Sequence, residues 1–271
     1  MSMGLVNKAT REVVWTTVLC AAGALLLEAL LAYVFHSFGN QLAEQFGQME
    51  FIQNVLKSLL GTEIGGMLGI QTMYSIAWVH PVLLAILWAH AITICTRVPA
   101  GEVDRGTIDV LLSLPVSRRR VYLCESLVWA LSGAIVVLFA LLGCFLGNLF
   151  IPAQDRPDYV RLLIVLVNLF AVYATVGSLA LLVSSLSDRR GRAVAVAFGI
   201  VIFSFLLNFL AQFWEPARSL SFVGLLNYYR PLEILRDATW PTHDLIVLLT
   251  CSIVLWVTGG VIFARRDICT V

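Results

Sequence analysis

Charge is scarce in this sequence. Only 13% of its 271 residues are Asp, Glu, Lys or Arg, about half the share usual in soluble domains. Lysine is rarer still: Lys8 follows Asn7, Lys57 follows Leu56, and there is no other. A phosphate-binding loop sets its lysine between a glycine and a serine or threonine, so nucleotide hydrolysis by that route is excluded. HExxH and GxSxG are also missing, which removes the minimum parts of a zinc metalloprotease or a serine hydrolase. The six cysteines (Cys20, Cys95, Cys124, Cys144, Cys251 and Cys269) show no CxxC or Cys/His spacing. They suggest neither a metal centre nor a disulfide framework and read as small apolar fillers. The chain is not expected to be an enzyme.

What the sequence has in abundance is apolar length. Apolar residues make up 59% of it and the mean hydropathy is +0.88. A helix needs about 20 such residues to cross a hydrocarbon core about 30 Å thick. Six runs suffice: 13–35, 73–96, 121–150, 162–186, 193–213 and 245–264. The expected fold is all-α, a single integral membrane domain over residues 1–271 with six transmembrane helices. An inside N-terminus puts twelve of the eighteen basic residues in the inner segments 1–12, 97–120, 188–192 and 265–271. Basic residues resist translocation, so both termini are expected on the cytoplasmic side. The first run is too long for a signal peptide and lacks a convincing cleavage site, so it is expected to stay as a helix. The residues before it, with Lys8, Arg11 and Glu12, suit a short elbow on the inner surface.

Two outer connections carry pattern. Leu42, Phe46, Met49, Ile52, Val55, Leu56, Leu59 and Leu60 form the stripe of an amphipathic helix. The stretch 214–244 offers Tyr228, Tyr229 and Trp240 as interfacial anchors, punctuated by Pro216, Pro231 and Pro241. Both can shape an exit site or simply seal the bundle. Within the crossings, Glu28 and His90 form a possible intramembrane polar site, since ionisable groups at that depth are functional candidates by default. Ordinary packing or pairing explains them equally simply. Pro81 should kink the second crossing. Asn148, Asn168 and Asn208 suit interhelical hydrogen bonds, and Gly143-x-x-x-Gly147 suits close helix packing within or between chains.

The segment Arg97–Arg120 departs from all this. Glu102, Asp104, Arg105 and Asp109 alternate with Ile108, Leu111 and Leu112, then Pro115 breaks the run before Arg118-Arg119-Arg120. A mixed-charge, amphipathic element on the inner face suits presentation to a soluble partner. Ser117 can cap the following helix, and the three arginines suit anchoring to anionic lipid. The run Glu102-Val-Asp-Arg-Gly106-Thr107-Ile108-Asp-Val-Leu111-Leu112-Ser113-Leu-Pro115-Val116-Ser117-Arg118 resembles the signature of type-two ABC export permeases between helices two and three. The turn Ser184-Ser185-Leu186-Ser187-Asp188-Arg189-Arg190 resembles theirs between helices four and five. Among subgroups the chain is most similar to permeases of multicopper-enzyme maturation and of sodium or drug efflux.

The resemblance implies a permease subunit of an ATP-driven exporter in a bacterial or archaeal inner membrane. A separate ABC ATPase subunit would hold ATP and Mg, leaving this chain without a cofactor. A second permease chain, identical or a sister, would complete the membrane part. Membrane lipid is a partner and nucleic acid is not. By the same analogy 97–114 is the coupling segment: Glu102, Arg105, Gly106, Thr107, Ile108, Leu111 and Leu112 would meet the ATPase. Glu102 and Arg105 would lie at the rim, Gly106 would allow a tight turn, and Ile108, Leu111 and Leu112 would supply the apolar face. Two other functions are compatible with the residues: an ion-coupled secondary transporter using Glu28 or His90, and a membrane anchor for a soluble partner.

Overall fold

The computed structural model describes residues 3–47, 70–113, 116–211 and 214–266. Ten α-helices of five residues or more lie within them: α1 (Met3–Gly47), α2 (Ile70–Trp78), α3 (Pro81–Cys95), α4 (Ile108–Leu112) and α5 (Arg118–Gly147), then α6 (Tyr159–Leu186), α7 (Arg190–Leu210), α8 (Glu215–Ser219), α9 (Pro231–Asp237) and α10 (Thr242–Arg265). Six spans are long and apolar enough to cross a membrane: Met3–Phe38, Thr72–Cys95, Arg118–Phe150, Tyr159–Leu186, Arg190–Leu210 and Thr242–Arg265. Helix is the expected answer to hydrocarbon, because it pairs every backbone polar group within its own segment. The chain is an all-α, multi-pass membrane protein.

The second crossing is the sequence α2–α3, interrupted at Val79–His80. Pro81 has no N–H and stands at the first position of α3, where none is needed. The His80 ring caps α3 by accepting from the Val82 N–H at 3.3 Å. The expected kink is therefore a break between two helices.

α6 is the central crossing: 72% of its apolar window is buried, against 22% for α1 and 17% for α10. In a bilayer, association depends on close contact rather than on hydrophobic exclusion, so small residues decide where helices meet. α1 lies against α5 along Gly143 and Gly147. A Cβ on Gly143 would stand 2.1 Å from the Leu25 carbonyl oxygen, and one on Gly147 2.6 Å from that of Ala29. The glycine pair thus packs helices within the chain. Between α5 and α6 the notches are reciprocal. The Trp129 ring of α5 covers Gly177 of α6, and the Tyr173 ring of α6 covers Gly133 of α5. The two rings stack at 5.8 Å. Polar contacts register α10 on its neighbours. Ser178 and Ser252 share a hydrogen bond of 2.9 Å, and the Trp256 indole N–H donates to the Ser126 hydroxyl at 2.8 Å. Trp15, Leu19 and Leu26 of α1 and Ile246 and Ile253 of α10 stay exposed, as lipid-facing side chains should.

Two expectations need correction, and a third lies largely outside the described residues. Residues 3–12 form no separate elbow: they are the first turns of α1, with Leu5, Ala9 and Val13 buried. The stripe from Leu42 to Leu60 runs into the end of α1, and its part beyond residue 47 lies outside the described residues. Tyr229 is no interfacial anchor. It is fully buried, because its hydroxyl finds a backbone acceptor, the Trp78 carbonyl, at 2.9 Å. Trp240 remains exposed. Of the asparagines, Asn148 accepts from the Tyr74 hydroxyl across helices, and Asn168 donates to the Tyr228 carbonyl at 3.1 Å. The Asn208 side-chain oxygen is buried without a partner.

The α1–α5 contact makes a direct prediction. Gly143→Ala forces a methyl group onto backbone that cannot retreat without separating the helices, and overpacking of this kind costs about 1–3 kcal/mol. Thermal unfolding in detergent should fall by roughly 2–10 °C. Gly199→Ala, whose added Cβ meets nothing within 4 Å, should leave the midpoint unchanged or slightly raised.

Candidate functional site at the basic end of the bundle

One end of the bundle gathers the start of α1, residues 97–113, the start of α5, the α6–α7 turn and the end of α10. After the Thr96 cap the chain makes a buried π turn, Arg97–Gly101, then one helical turn, Glu102–Asp104. Gly106 follows with φ +68°, a left-handed conformation that glycine adopts without steric cost. Its N–H donates to the Val103 carbonyl at 3.0 Å and the Thr107 N–H to that of Glu102 at 3.0 Å. α4 then begins at Ile108. Ser117 caps α5, accepting the Arg120 N–H at 3.4 Å.

Arg97 is the charge at the centre of this end. It is buried and forms ion pairs with Glu12 of α1 and Glu125 of α5. A guanidinium offers a planar fork of donors, which suits two carboxylates arriving from different helices. Lys8 of α1 adds contacts to Glu12 at 3.4 Å and to Glu102 at 3.1 Å. Glu102 in turn accepts from the Thr107 hydroxyl and lies 3.5 Å from Arg105. Burial works to raise the Glu102 pKa. The Thr107 and Lys8 hydrogen bonds and the charges of Lys8 and Arg105 outweigh it and hold the carboxyl below its usual 4.5.

The two segments that resemble the permease signature touch each other. The Ala100 N–H donates to the Ser184 hydroxyl at 3.2 Å, and the Arg190 backbone N–H donates to the Asp104 carboxylate at 3.3 Å. Asp104 thereby supplies an acceptor and a negative charge to the N-terminus of α7, where both are favourable. Arg266 closes the arrangement. It donates to the Ser185 and Ser187 carbonyls at 2.9 and 3.1 Å and pairs with Asp188, while Arg118 donates to its carbonyl.

The side chains named for coupling fall into two groups. Glu102 is buried and engaged within the chain, and Ile108 is fully buried against the main core. Arg105, Gly106 and Thr107 are exposed, as are Asp104, Asp109 and Val110, the last at 70%. Leu111 and Leu112 complete the α4 backbone. Glu12, Lys8 and Glu125, which sequence reasoning did not select for this site, join it through ion pairs distant in sequence: Glu12 with Arg97 across 85 positions, Lys8 with Glu102 across 94, and Glu125 with Arg97 across 28. No local spacing signals such partners.

Glu28 and His90 do not come together. His90 shares a hydrogen bond of 3.2 Å with the Thr17 hydroxyl and one of 3.0 Å with Tyr173, whose hydroxyl reaches the Trp129 carbonyl at 3.2 Å. If Thr17 donates to Nε2 and Nδ1–H donates to Tyr173, a neutral imidazole satisfies the whole chain. Glu28 lies eleven residues further along α1 than Thr17, about 16 Å of helix. It is buried, with one carboxyl oxygen lacking a partner.

Two predictions test the charge arrangement. Arg97→Met leaves the largely enclosed Glu125 without its cation, while the exposed Glu12 keeps Lys8 at 3.4 Å; stranding such a charge costs up to about 3–5 kcal/mol, and thermal unfolding in detergent should drop accordingly. Adding Glu12→Gln and Glu125→Gln should recover much of the loss. Glu102 sets a pH dependence. With its pKa depressed, its stabilising contacts are complete above the ordinary carboxylate range and are lost only as pH falls through the lowered value. Amide exchange of 102–107, corrected for intrinsic rate, should therefore stay flat from pH 7 to about 4.5 and rise below. Glu102→Gln should exchange faster throughout and lose that acid limb.

Comparison with known proteins agrees with this organisation. No curated protein and no solved structure matches the chain. A family match covers residues 5–268, nearly the whole sequence and both segments of the basic end, under the description ABC-2 family transporter protein. With six membrane-crossing helices and a helical element held out from their basic end, the chain belongs to the ABC-2 family of transporter membrane proteins.

Proposed function

We propose that this chain is the membrane half of an ATP-driven exporter and that residues 97–113 dock a separate ATPase subunit. The observation that carries the reading is the mechanical build of that element. Its buried side is fastened to α1, α5, α6 and α7 through Lys8, Arg97, Ser184 and Arg190, and its other side is open. A force applied to α4 therefore reaches four crossings without a flexible link. Such a handle is of no use to an anchor that merely recruits a partner. The contact surface on this reading is Arg105, Thr107, Asp109 and Val110, with Leu111 and Leu112 alongside, and Gly106 setting the turn. Glu102 and Ile108 act from behind it: one holds the turn, the other seats α4 on the bundle.

The basic end faces the cytoplasm in this reading, because arginine-rich ends resist translocation. ATP and Mg belong to the partner, since this sequence has no phosphate loop. A second permease chain, identical or a sister, completes the pathway, and export or flopping of a lipid-like substrate follows from the exporter class. The saturated hydrogen bonding of His90 speaks against it as an ion site, which leaves the ion-coupled alternative to Glu28.

The docking surface is testable by substitution. Interface energy concentrates in apolar residues that become desolvated, with rim charges contributing less. Val110→Asp and Leu111→Asp should each abolish co-purification of the ATPase while the permease still inserts. Arg105→Ala should weaken binding only severalfold. Normal ATPase capture and substrate-stimulated hydrolysis in both aspartate variants would remove this segment from the mechanism.

A further inference from the structure

The break in the second crossing leaves a backbone acceptor that the chain fills from far away. In an unbroken helix the Trp78 carbonyl would accept from the Val82 N–H. Here that N–H goes to the His80 ring, while the His80 N–H turns back to the Ala77 carbonyl at 3.1 Å and the Leu84 N–H starts α3 on the His80 carbonyl at 3.2 Å. Trp78 is fully buried, so water does not serve its carbonyl, and a lone carbonyl in such a place is costly. The Tyr229 hydroxyl supplies the missing bond at 2.9 Å. Tyr229 belongs to the segment 225–237, whose helix α9 rests on α2 and α6 with Leu232, Ile234 and Leu235 buried. That segment is held on its other side by α6: Arg161 donates to the Leu235 and Arg236 carbonyls at 2.6 and 3.0 Å, and Asn168 to the Tyr228 carbonyl.

α3 is a single rod of fifteen residues, about 22 Å long, between this break and the π turn that opens the docking element. We propose that Tyr229 is a positioning residue for transport. By latching segment 225–237 to the break, it makes α3 a lever whose motion at the basic end is delivered to the segment closing the opposite end. The break supplies the pivot, because between Trp78 and Pro81 no helical ladder resists bending. The latch supplies the load, because Trp78 ends α2 beside the pivot and its bond to Tyr229 ties segment 225–237 to the crossing at that point. This role rests on the docking reading above, but the latch itself is testable without an ATPase.

The experiment is amide exchange on the full chain in nanodiscs of phosphatidylethanolamine and phosphatidylglycerol. Tyr229→Phe keeps the ring and removes the bond, and exchange in 225–237 should rise about five- to tenfold while 97–107 is unchanged. Pro81→Ala restores an N–H and lets the helix close on itself, so that Val82 can serve Trp78. In that background Tyr229→Phe should add almost nothing, the coupling expected where the hydroxyl and the Val82 N–H serve one carbonyl. Unchanged exchange in Tyr229→Phe, or effects of the two substitutions that simply add, overturns the latch. In the complex with the ATPase, Tyr229→Phe should lower substrate moved per ATP severalfold and leave hydrolysis intact; equal loss of both overturns the positioning role. If no ATPase binds the chain, the docking reading fails, whereas the exchange results still judge the latch.

Discussion

Arg97 cannot be left alone where it lies. A buried guanidinium without carboxylates costs several kcal/mol, so the positions of Glu12 and Glu125 are obligatory once that arginine is enclosed. From this follow the straight start of α1, which must bring Glu12 alongside, and the inward setting of the π turn that carries Arg97. Lys8 extends the pairing to Glu102, and Glu102 holds the turn through Thr107. The exposed edge of segment 97–113 is thus defined by what its hidden edge must satisfy.

Deeper in the bundle the same demand is met with fewer charges. Thr17, His90, Tyr173 and the Trp129 carbonyl link α1, α3, α6 and α5 in a line of hydrogen bonds. The Trp129 and Tyr173 rings meanwhile settle on the glycines four positions from each other's partner, Gly133 and Gly177. Hydrocarbon surroundings give helices little reason to associate, so shape and hydrogen bonding must select the neighbours. Arg97 and His90 therefore do related work at different depths: each obliges several helices to meet at one place.

The crossings were legible because hydrocarbon thickness imposes a length and a composition on each of them separately. The backbone around segment 97–113 was legible too. Gly106 has the positive φ that its place in a tight turn suggests, and Ser117 caps α5 as its position implies. Which side chains face inward there was not legible: Glu102 and Ile108 read as surface residues from their neighbours in sequence. Their burial is decided by Lys8, ninety-four positions away from Glu102, and by helices whose arrangement no periodicity encodes. Tyr229 was misjudged for the same reason. An aromatic near a membrane boundary reads as an anchor, and only the break at Val79–His80 reveals why a hydroxyl is wanted inside. Pro81 announced that break, but not the residue that would repair it.

Arg266 has a consequence for how the molecule is made. Its bonds to Ser185, Ser187 and Asp188 and its contact with Arg118 join parts that leave the ribosome long before it does. Glu12 waits for Arg97, the turn at 184–188 waits for Arg266, and each group is hydrated or unpaired in the interval. The basic end therefore cannot close before Arg266 has been added. Quality control that samples exposed carbonyls and unpaired charges at that surface would distinguish a chain with α10 in place from one still lacking it.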